Sequence, residues 1–153
     1  MSMPTSSHAY GIGVIAVIIG MSVSVVFYTS FYLPESLEKP SVSEHILNPD
    51  GDFIIDIVLG AVIEGNENYV PNQASVLLGI SNKVIWQNND DTAHTVTPDH
   101  RASDAYSGDF GSIGVLKPGE TFEFLFTEPQ EIPYHCEPHP WMKGNIIIAL
   151  SRF

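Results

Sequence analysis

The sequence predicts an all-β domain, an antiparallel Greek-key β-sandwich, preceded by one N-terminal transmembrane helix. From residue 51 onward, short runs rich in Val, Ile and Phe alternate with turns that contain Gly, Pro and Asn. That part shows no helical period long enough to interrupt the strands. Residues 10–33, in contrast, form one long apolar run. The chain of 153 residues therefore divides into a segment 1–34 with the anchor, a linker 35–50 and a single domain 51–153.

The apolar run, YGIGVIAVIIGMSVSVVFYTSFYL, has no charged side chain, and the first charged residue of the chain is Glu35. A helix rises about 1.5 Å per residue, so about 20 residues cross a bilayer core about 30 Å thick. Tyr10, Tyr28 and Tyr32 lie near its ends, as in an aromatic belt. We therefore expect an uncleaved membrane anchor.

A cleaved signal peptide is the main alternative for this run. It would carry a basic region, a shorter apolar core and a small-residue cleavage site, whereas no Lys or Arg precedes the run and YTSFYLPESLEKP lacks such a site. A buried helix of a soluble domain is a weaker alternative, because so small a domain could hardly cover it. We expect a single-pass membrane protein with its folded domain on the extracytoplasmic side, an orientation inferred from the single helix and from the chemistry described below.

The linker, ESLEKPSVSEHILNPD, is polar and contains two prolines, and we interpret His45 within it as a solvated histidine. The whole chain has 18 acidic and 6 basic residues, a net charge of −12. This charge argues against nucleic acid as a partner, since phosphates require Lys and Arg patches, and is compatible with a basic partner protein. The single cysteine excludes an internal disulfide.

Several segments of the domain show the alternation typical of strands. In LKPGETFEFLFTEP, Phe122, Phe124 and Phe126 share one face while Glu123 lies on the other. Further strands are expected near residues 53–63, 74–88 and 145–150, with Trp86 in the core. About seven or eight strands in about 100 residues are typical of a β-sandwich.

One stretch, YHCEPHPWMKG, contains side chains that bind metals. Cys136, His139 and Met142 occur at the spacing C-x-x-H-x-x-M. Thiolate and thioether ligands favour Cu(I), and imidazole suits both oxidation states of copper. His94, in NNDDTAHTVT, is the natural fourth ligand, because it follows a strand end that a sandwich can place beside this loop. A trigonal His–His–Cys site with a weak axial Met is an electron-transfer centre.

The sequence resembles the cupredoxins, the small blue-copper family that includes plastocyanin, pseudoazurin and amicyanin. VIWQNNDDTAHTVT, LKPGETFEFLFTEP and YHCEPHPWMKGNIIIAL carry the resemblance, over about residues 83–150. It implies one type-1 copper per chain, cycling between Cu(I) and Cu(II), with His94, Cys136 and His139 as strong ligands and Met142 as the axial one. The implied function is a single-electron carrier that shuttles electrons between membrane-associated redox partners at the outer cell surface.

The resemblance also implies where partners dock. His139 would present an imidazole edge at the surface, surrounded by Pro138, Pro140 and Trp141 as an apolar patch. The prolines fix φ and stiffen the loop, which limits the rearrangement that accompanies each electron transfer.

Three features depart from the family pattern. Thr95 stands where members often have Asn, and its N–H and hydroxyl are candidate donors to the cysteine sulfur. Glu137 stands where amicyanin-like loops tend to have Thr or Ser, and it should lower the potential unless it is well solvated. The approach EIPYHC lacks the usual glycine. These departures affect the potential and colour more than the binding of copper.

Two further histidines lie close to the motif in sequence. Strand alternation turns His135 away from Cys136, so we interpret it as structural. His100 lies in a long loop near Asp99 and Arg101, where a solvated loop is favoured over a second metal site.

Two other classes of function stay open. The first is a small copper enzyme that acts on a small molecule such as nitric oxide. Copper enzymes related to this fold use further copper sites, with HxH motifs and extra domains that this sequence does not contain. The second is a copper-delivery or accessory subunit. The two-copper centre of an oxidase subunit needs two cysteines and this chain has one, but delivery of a single copper is compatible with the sequence.

Overall fold

The structure is a computed structural model that describes residues 7–37 and 40–151. The chain forms two compact units, Met1–Lys39 and Pro40–Phe153. Residues 1–6, 38–39 and 152–153, which belong to the predicted anchor segment, linker and domain, lie outside the described residues. The predicted division at residues 34 and 50 stays a prediction.

The first unit is helical. Helix α1 spans Ser7–Phe27, a π-helical stretch spans Tyr28–Tyr32, and helix α2 spans Leu33–Leu37. Over Tyr10–Ser36 the mean hydropathy reaches 2.3 and the side chains are exposed, so by length and composition this helix is a candidate membrane span. A signal sequence near the N-terminus meets the same criterion. The choice between an anchor and a cleaved signal therefore stays a prediction.

Hydroxyl side chains in this helix donate to the helix's own backbone. Ser22 Oγ donates to the carbonyl of Ile18 at 2.8 Å, and Thr29 Oγ1 donates to that of Val25 at 2.9 Å. A hydroxyl bonded in this way is not left unsatisfied in an apolar surrounding. Ser22 and Thr29 are thus compatible with a lipid environment.

The second unit is a β-sandwich, which confirms the predicted fold class. Within the described residues it begins with a short helix, α3 (Glu44–Leu47), and contains two four-stranded sheets, ordered β2-β1-β4-β8 and β3-β10-β9-β5, and a hairpin of β6 and β7. The strands are β1 (Asp52–Ile57), β2 (Tyr69–Val70), β3 (Gln73–Leu77), β4 (Lys83–Asn88), β5 (Thr97–Pro98), β6 (Ser103–Asp104), β7 (Gly108–Asp109), β8 (Thr121–Leu125), β9 (Gln130–Cys136) and β10 (His139–Ala149).

The sheets are mixed, whereas the sequence analysis predicted a purely antiparallel sandwich. β1 is parallel to β4, with Ile55 opposite Trp86, and β3 is parallel to β10, with Val76 opposite Ile148. The chain crosses from the first sheet to the second between β1 and β3 and returns at β4. At its return β4 runs in the same direction as β1, whereas the other neighbouring pairs of that sheet, β1–β2 and β4–β8, are antiparallel. Alternation identifies the buried face of a strand but not its direction.

Strand alternation places Cys136 in the core. In β9, Ile132, Tyr134 and Cys136 are buried, and His135 lies on the other face, as predicted. The ring of Tyr134 meets the buried Trp86 edge-on, with centroids 5.7 Å apart. The end of β9 is therefore held by aromatic packing directly below the cysteine.

The alternation predicted for β8 is also confirmed. Phe124 and Phe126 are buried, Phe122 is half-buried, and Glu123 is exposed. Phe110 reaches the same core from the long loop before β8, with its ring centroid 5.2 Å from that of Phe124. One aromatic cluster therefore joins this sheet to the long loop.

The last part of the predicted linker packs on the sandwich. Asn82, fully buried, donates through Nδ2 to the carbonyl of Ile46 at 2.9 Å and to that of Phe126 at 2.7 Å. The N–H of Asp50 donates to the carbonyl of Gly79 at 3.2 Å. The side chain of Ile46 also packs against the core. This attached segment, residues 43–51, is called the strap below; His45 within it is exposed, as predicted.

A buried carboxylate organises the loop that carries β6 and β7. Asp104 accepts hydrogen bonds from the N–H groups of Tyr106, Ser107 and Thr127 and from the Thr127 hydroxyl. Burial alone would raise the pKa of Asp104, but these hydrogen bonds outweigh it and lower that pKa. The ionised carboxylate therefore stabilises the folded state.

Gly144 is required by the packing of β10 on β9. It pairs directly with Tyr134, and a Cβ at Gly144 would overlap the ring atom Cζ and the hydroxyl oxygen Oη of Tyr134. Because that ring is fully enclosed, it has little room to move aside.

Replacing Gly144 by alanine should lower the free energy of unfolding by about 2–3 kcal/mol, as expected for overpacking of a rigid core. Urea unfolding followed by tryptophan fluorescence measures this. The control is Gly51→Ala, because an added Cβ at Gly51 meets no atom within 4 Å. Equal stability of the two variants would show that the Tyr134 ring relaxes freely.

The variant Asp104→Asn should be less stable than the wild type by about 1–3 kcal/mol at pH 7, because an amide nitrogen would face an N–H donor. The wild-type pKa is lowered on folding, so its stabilisation is present above the ordinary aspartate value of about 3.9 and is lost as the pH falls below it. Urea unfolding between pH 7 and pH 3 should therefore give a flatter profile for the variant. The exposed Asp109→Asn serves as control, and identical profiles for wild type and Asp104→Asn would contradict the assignment.

Candidate metal centre

Two of the predicted ligands lie at a tight turn between adjacent strands. Cys136 ends β9, His139 begins β10, and the two residues pair directly across the turn formed by Glu137 and Pro138. The register then shifts between His139 and Lys143, which marks an irregularity in β10. The turn thus holds a thiol and an imidazole close together at one end of the second sheet.

The structure brings His94 to the same place. Its backbone forms an isolated antiparallel bridge with Leu116. The His94 N–H donates to the Leu116 carbonyl at 3.0 Å, and the His94 carbonyl accepts the Leu116 N–H at 2.7 Å. His94 Nδ1 then lies 3.7 Å from Cys136 Sγ and 3.2 Å from His139 Nδ1, and Cys136 Sγ lies 3.5 Å from His139 Nδ1. His94 and Cys136 are fully buried, and His139 is half-buried.

These three separations fit a trigonal metal site. With Zn²⁺ as a guide to first-row ions, metal–nitrogen bonds are about 2.0–2.1 Å and metal–thiolate bonds about 2.3 Å. In a trigonal plane such bonds place the ligand atoms roughly 3.5–3.8 Å apart, close to the observed triangle. Two ring nitrogens that face each other also need a shared proton or a cation between them. The donor set, two imidazoles and a thiolate, suits copper.

Met142 is completely buried in β10, three residues after His139. It belongs to the same core cluster as Cys136. Its assignment as the axial ligand stays a prediction.

Asp90 orients the first histidine. Its Oδ2 lies 2.7 Å from His94 Nε2, and both side chains are fully buried. Its Oδ1 accepts the N–H groups of Gly60 and Asp91 at 2.8 and 2.9 Å. Since a carboxylate only accepts hydrogen bonds, His94 Nε2 carries the proton and Nδ1 is free for a metal.

Without metal, the surroundings favour a thiolate at Cys136, a protonated His94 and a neutral His139. Burial would raise the pKa of the Cys136 thiol, but hydrogen bonds from His94 and Thr95 outweigh it and lower that pKa. Burial would lower the pKa of His94, but its hydrogen bonds to Cys136 and Asp90 raise it. Burial, with a smaller contribution from His94, lowers the pKa of His139. A thiolate and a neutral His139 are the forms that bind a metal.

The sequence analysis did not identify two residues that build this site, Asp90 and Asn88. The Asn88 side chain, fully buried, donates to the carbonyl of Thr92, two residues before the ligand histidine, and to that of Leu116, its backbone partner. The only signal was the polar run before His94, in which a carboxylate stands four residues ahead of an imidazole. That spacing alone does not indicate a buried pair.

The other singled-out residues lie outside this cluster. His135 pairs with Asp99 at 2.6 Å on the outer face, and His100 is exposed. Among the residues that the structure describes, His94, Cys136 and His139 form the one group of three His, Cys or acidic side chains close enough to bind a metal. Glu137 is exposed, hence solvated, and its N–H donates to Thr95 Oγ1 at 2.8 Å.

Apolar side chains surround the exposed edge of the site. The Trp141 ring lies 5.4 Å from that of His139, and Pro138 and Pro140 are exposed beside it. Two loops are hydrogen-bonded to residues of the site, one through Gly60 to Asp90 and one through Leu116 to His94. Both loops carry further exposed apolar side chains. These side chains are Leu59, Ile63, Ile113 and Val115.

Comparison with known proteins agrees with this geometry. A family model described as copper binding proteins, plastocyanin/azurin family, matches residues 59–149, more than half of the chain. The chain belongs to this family. It is therefore a cupredoxin, and its β-sandwich with mixed sheets and its copper-type ligand cluster are those of a copper-binding protein.

Three similar proteins illustrate the relationship. Chloroplastic plastocyanin B of Populus nigra is 32% identical over 103 residues, which cover 61% of this chain and 58% of that protein. Amicyanin of Paracoccus denitrificans is 25% identical over 99 residues, covering 65% and 66%. A solved structure, a novel purple cupredoxin from Nitrosopumilus maritimus, is 25% identical with a TM-score of 0.52, covering 64% of this chain and 100% of that one. The chain thus spans 58% of the length of the plastocyanin and 66% of the length of the amicyanin, less than two thirds of each.

Replacing Asp90 by asparagine should weaken copper binding by about 10- to 100-fold. The amide oxygen would accept from Gly60 and Asp91, so the amide nitrogen would face His94 Nε2 and favour the tautomer with a proton on Nδ1. Competition with a chromophoric copper chelator measures the affinity. The exposed neighbour variant Asp91→Asn should bind normally, and normal binding by Asp90→Asn as well would refute the orienting role.

Proposed function

We propose that this cupredoxin is a single-electron carrier whose one copper, cycling between Cu(I) and Cu(II), is held by His94, Cys136, His139 and Met142. The observation that carries the proposal is the buried triangle of two imidazole nitrogens and one sulfur, whose edges of 3.2, 3.5 and 3.7 Å suit a first-row ion. When bound, the copper would be the group that accepts an electron from one partner and passes it to the next.

The protein's own residues are arranged to keep this site rigid. Cys136 ends a strand packed on aromatic side chains, and Asp90 and Leu116 hold His94 through its side chain and its backbone. Rigid ligands move little when the charge of the site changes, and this lowers the barrier to electron transfer. Complete burial of Cys136, His94 and Met142 excludes water.

The half-buried His139 is the proposed point of electron exchange. His139 is partly exposed, its ring lies 5.4 Å from that of Trp141, and the exposed Pro138 and Pro140 flank it in sequence. An apolar surface permits a redox partner to dock without ordered water between the proteins. The net charge of −12, with Glu137 exposed beside the patch, favours a partner with basic residues around its own docking face.

We further propose that the protein is a single-pass membrane protein with the copper domain on the extracytoplasmic side. The candidate span Tyr10–Ser36 supports the membrane attachment. Attachment would restrict the carrier to the membrane plane, which suits a shuttle between membrane-associated redox partners at the outer cell surface.

The structure favours a carrier over the two alternatives. An enzyme acting on nitric oxide or a similar molecule needs an open coordination position, whereas two of the three clustered ligands are fully buried and the third is half-buried. A copper-delivery subunit needs ready exchange of its metal, and the same burial opposes exchange.

The variant Cys136→Ser should lose the intense visible absorption expected of the wild type loaded with Cu(II), because that absorption arises from thiolate-to-copper charge transfer. Absorption and electron paramagnetic resonance spectra of the full chain in detergent measure this. His135→Asn, altered at the neighbouring outward-facing residue, should keep the band. A pale wild-type protein with ordinary copper hyperfine splitting would overturn the proposal, and a persistent band in Cys136→Ser would overturn the ligand assignment.

A further inference from the structure

The strap, residues 43–51, is hydrogen-bonded through its main chain to the turn between β3 and β4. The N–H of Asp50 donates to the carbonyl of Gly79 at 3.2 Å, and the N–H of Gly51 donates to that of Ile80 at 3.0 Å. Strand β1 begins at the next residue of the chain. The C-terminal end of the strap is therefore fixed where the chain enters the first sheet.

A buried side chain holds the middle of the strap. Asn82 is fully buried, and its Oδ1 accepts the N–H of Gly79 at 2.7 Å. Its amide has two hydrogens; one is donated to the carbonyl of Phe126 at 2.7 Å, and the other to that of Ile46, in the strap, at 2.9 Å. Without the docked strap one donor of this amide would lose its acceptor, which is unfavourable.

Side chains of the strap also fit the surface beneath them. The imidazole of His45 covers Gly79 so closely that a Cβ added at Gly79 would overlap it, and Gly79 has a φ of +81°, which favours glycine. Ile46 packs against the core, and Leu47 and Pro49 are half-buried. The strap is thus seated by apolar contacts as well as by hydrogen bonds.

This docking place lies at the end of the sandwich opposite to the ligand cluster. Strand β10 begins at His139, in the cluster, and ends at Ala149. The carbonyl of Ala149 accepts the N–H of Leu78 at 2.9 Å, and Leu78 directly precedes Gly79 in the turn that binds the strap. Eleven residues of strand span roughly 30 Å, so about this distance separates the strap from the cluster.

We propose that the strap is a docked entry segment and not a flexible linker: it fixes the point at which the preceding chain joins the domain, at the end remote from the ligand cluster. The proposal rests on the proposed function only in that it treats the cluster as the end that exchanges electrons. The docking itself belongs to the protein alone and exists without metal.

Docking decides how far the exchange edge can move relative to its attachment point. A docked strap presents His139 roughly 30 Å from that point, and a redox partner must offer its own redox group at that reach. A released strap would add nine residues of free chain, which extend by up to about 30 Å. The copper end could then turn back toward the attachment point.

The first test measures the distance between the two ends of the domain. Nitroxide labels are placed at Ser41→Cys, an exposed residue just before the strap, and at Ile113→Cys, an exposed residue of the loop that pairs with His94. Cys136→Ser removes the one native thiol. Pulsed electron paramagnetic resonance of the full chain in detergent should give one narrow distribution near about 30 Å.

Two variants release the strap from opposite sides. Ile46→Ser, within the strap, and Asn82→Ala, beneath it, should each broaden the distribution and add shorter distances. Glu44→Gln, at an exposed residue of the same short helix, is the matched control and should leave the distribution narrow. A broad distribution without these variants, or a distance well below about 20 Å, would overturn the proposal.

Hydrogen exchange in the otherwise unaltered, metal-free chain supplies an independent measurement. The amide of Gly51 should be protected, and Ile46→Ser should speed its exchange at least about tenfold while the amides of β10 stay protected. Because Ile46→Ser leaves the groove intact, it decides the matter even where Asn82→Ala unfolds the domain. Unchanged exchange and an unchanged distance in Ile46→Ser would refute the docking. A colourless copper-loaded protein would overturn the proposed function but not the strap, since neither measurement needs copper.

Discussion

The buried side chain of Asn88 holds the metal-binding end of the sandwich together. Its amide donates to the carbonyls of Thr92 and Leu116 at 2.8 and 2.9 Å, and its oxygen accepts the N–H of Asp90 at 3.0 Å. Leu116 pairs with His94, and Asp90 orients the imidazole of His94. A buried amide left without partners would destabilise the fold, so these bonds restrict the conformation of the whole loop. A residue with no metal-binding role thereby determines where the first ligand lies.

Local sequence was sufficient to predict the ligand turn. Cys136 and His139 are three residues apart, so a tight turn between two strands brings them together whatever the rest of the chain does. Period-two alternation likewise predicted that Cys136 faces inward and His135 outward, since each strand has one buried face. His94 was predicted from its place after a strand end, and the structure brings its Nδ1 within 3.2 Å of that of His139.

What the sequence did not predict depends on contacts between distant segments. The parallel pairing of β1 with β4 follows from the path of the chain between sheets, about which alternation is silent. Asp90 and Asn82 look like ordinary polar turn residues, and only the folded chain surrounds them with partners. The strap was predicted as linker because its composition is polar and proline-containing. Its attachment depends on one buried asparagine more than thirty residues away.

The strap also determines how the domain would respond to force. It joins the sandwich beside Asn82, just before β4 begins, whereas Asn88 and the metal-binding loops lie at the other end of that strand. Six residues of strand separate the two ends by about 20 Å. Tension that enters the domain at Pro40 would therefore be borne by the hydrogen bonds of Asn82 and by the turn before β4. The ligand triangle lies at the far end of β4, so a pull on the strap would first load contacts that are remote from the metal site.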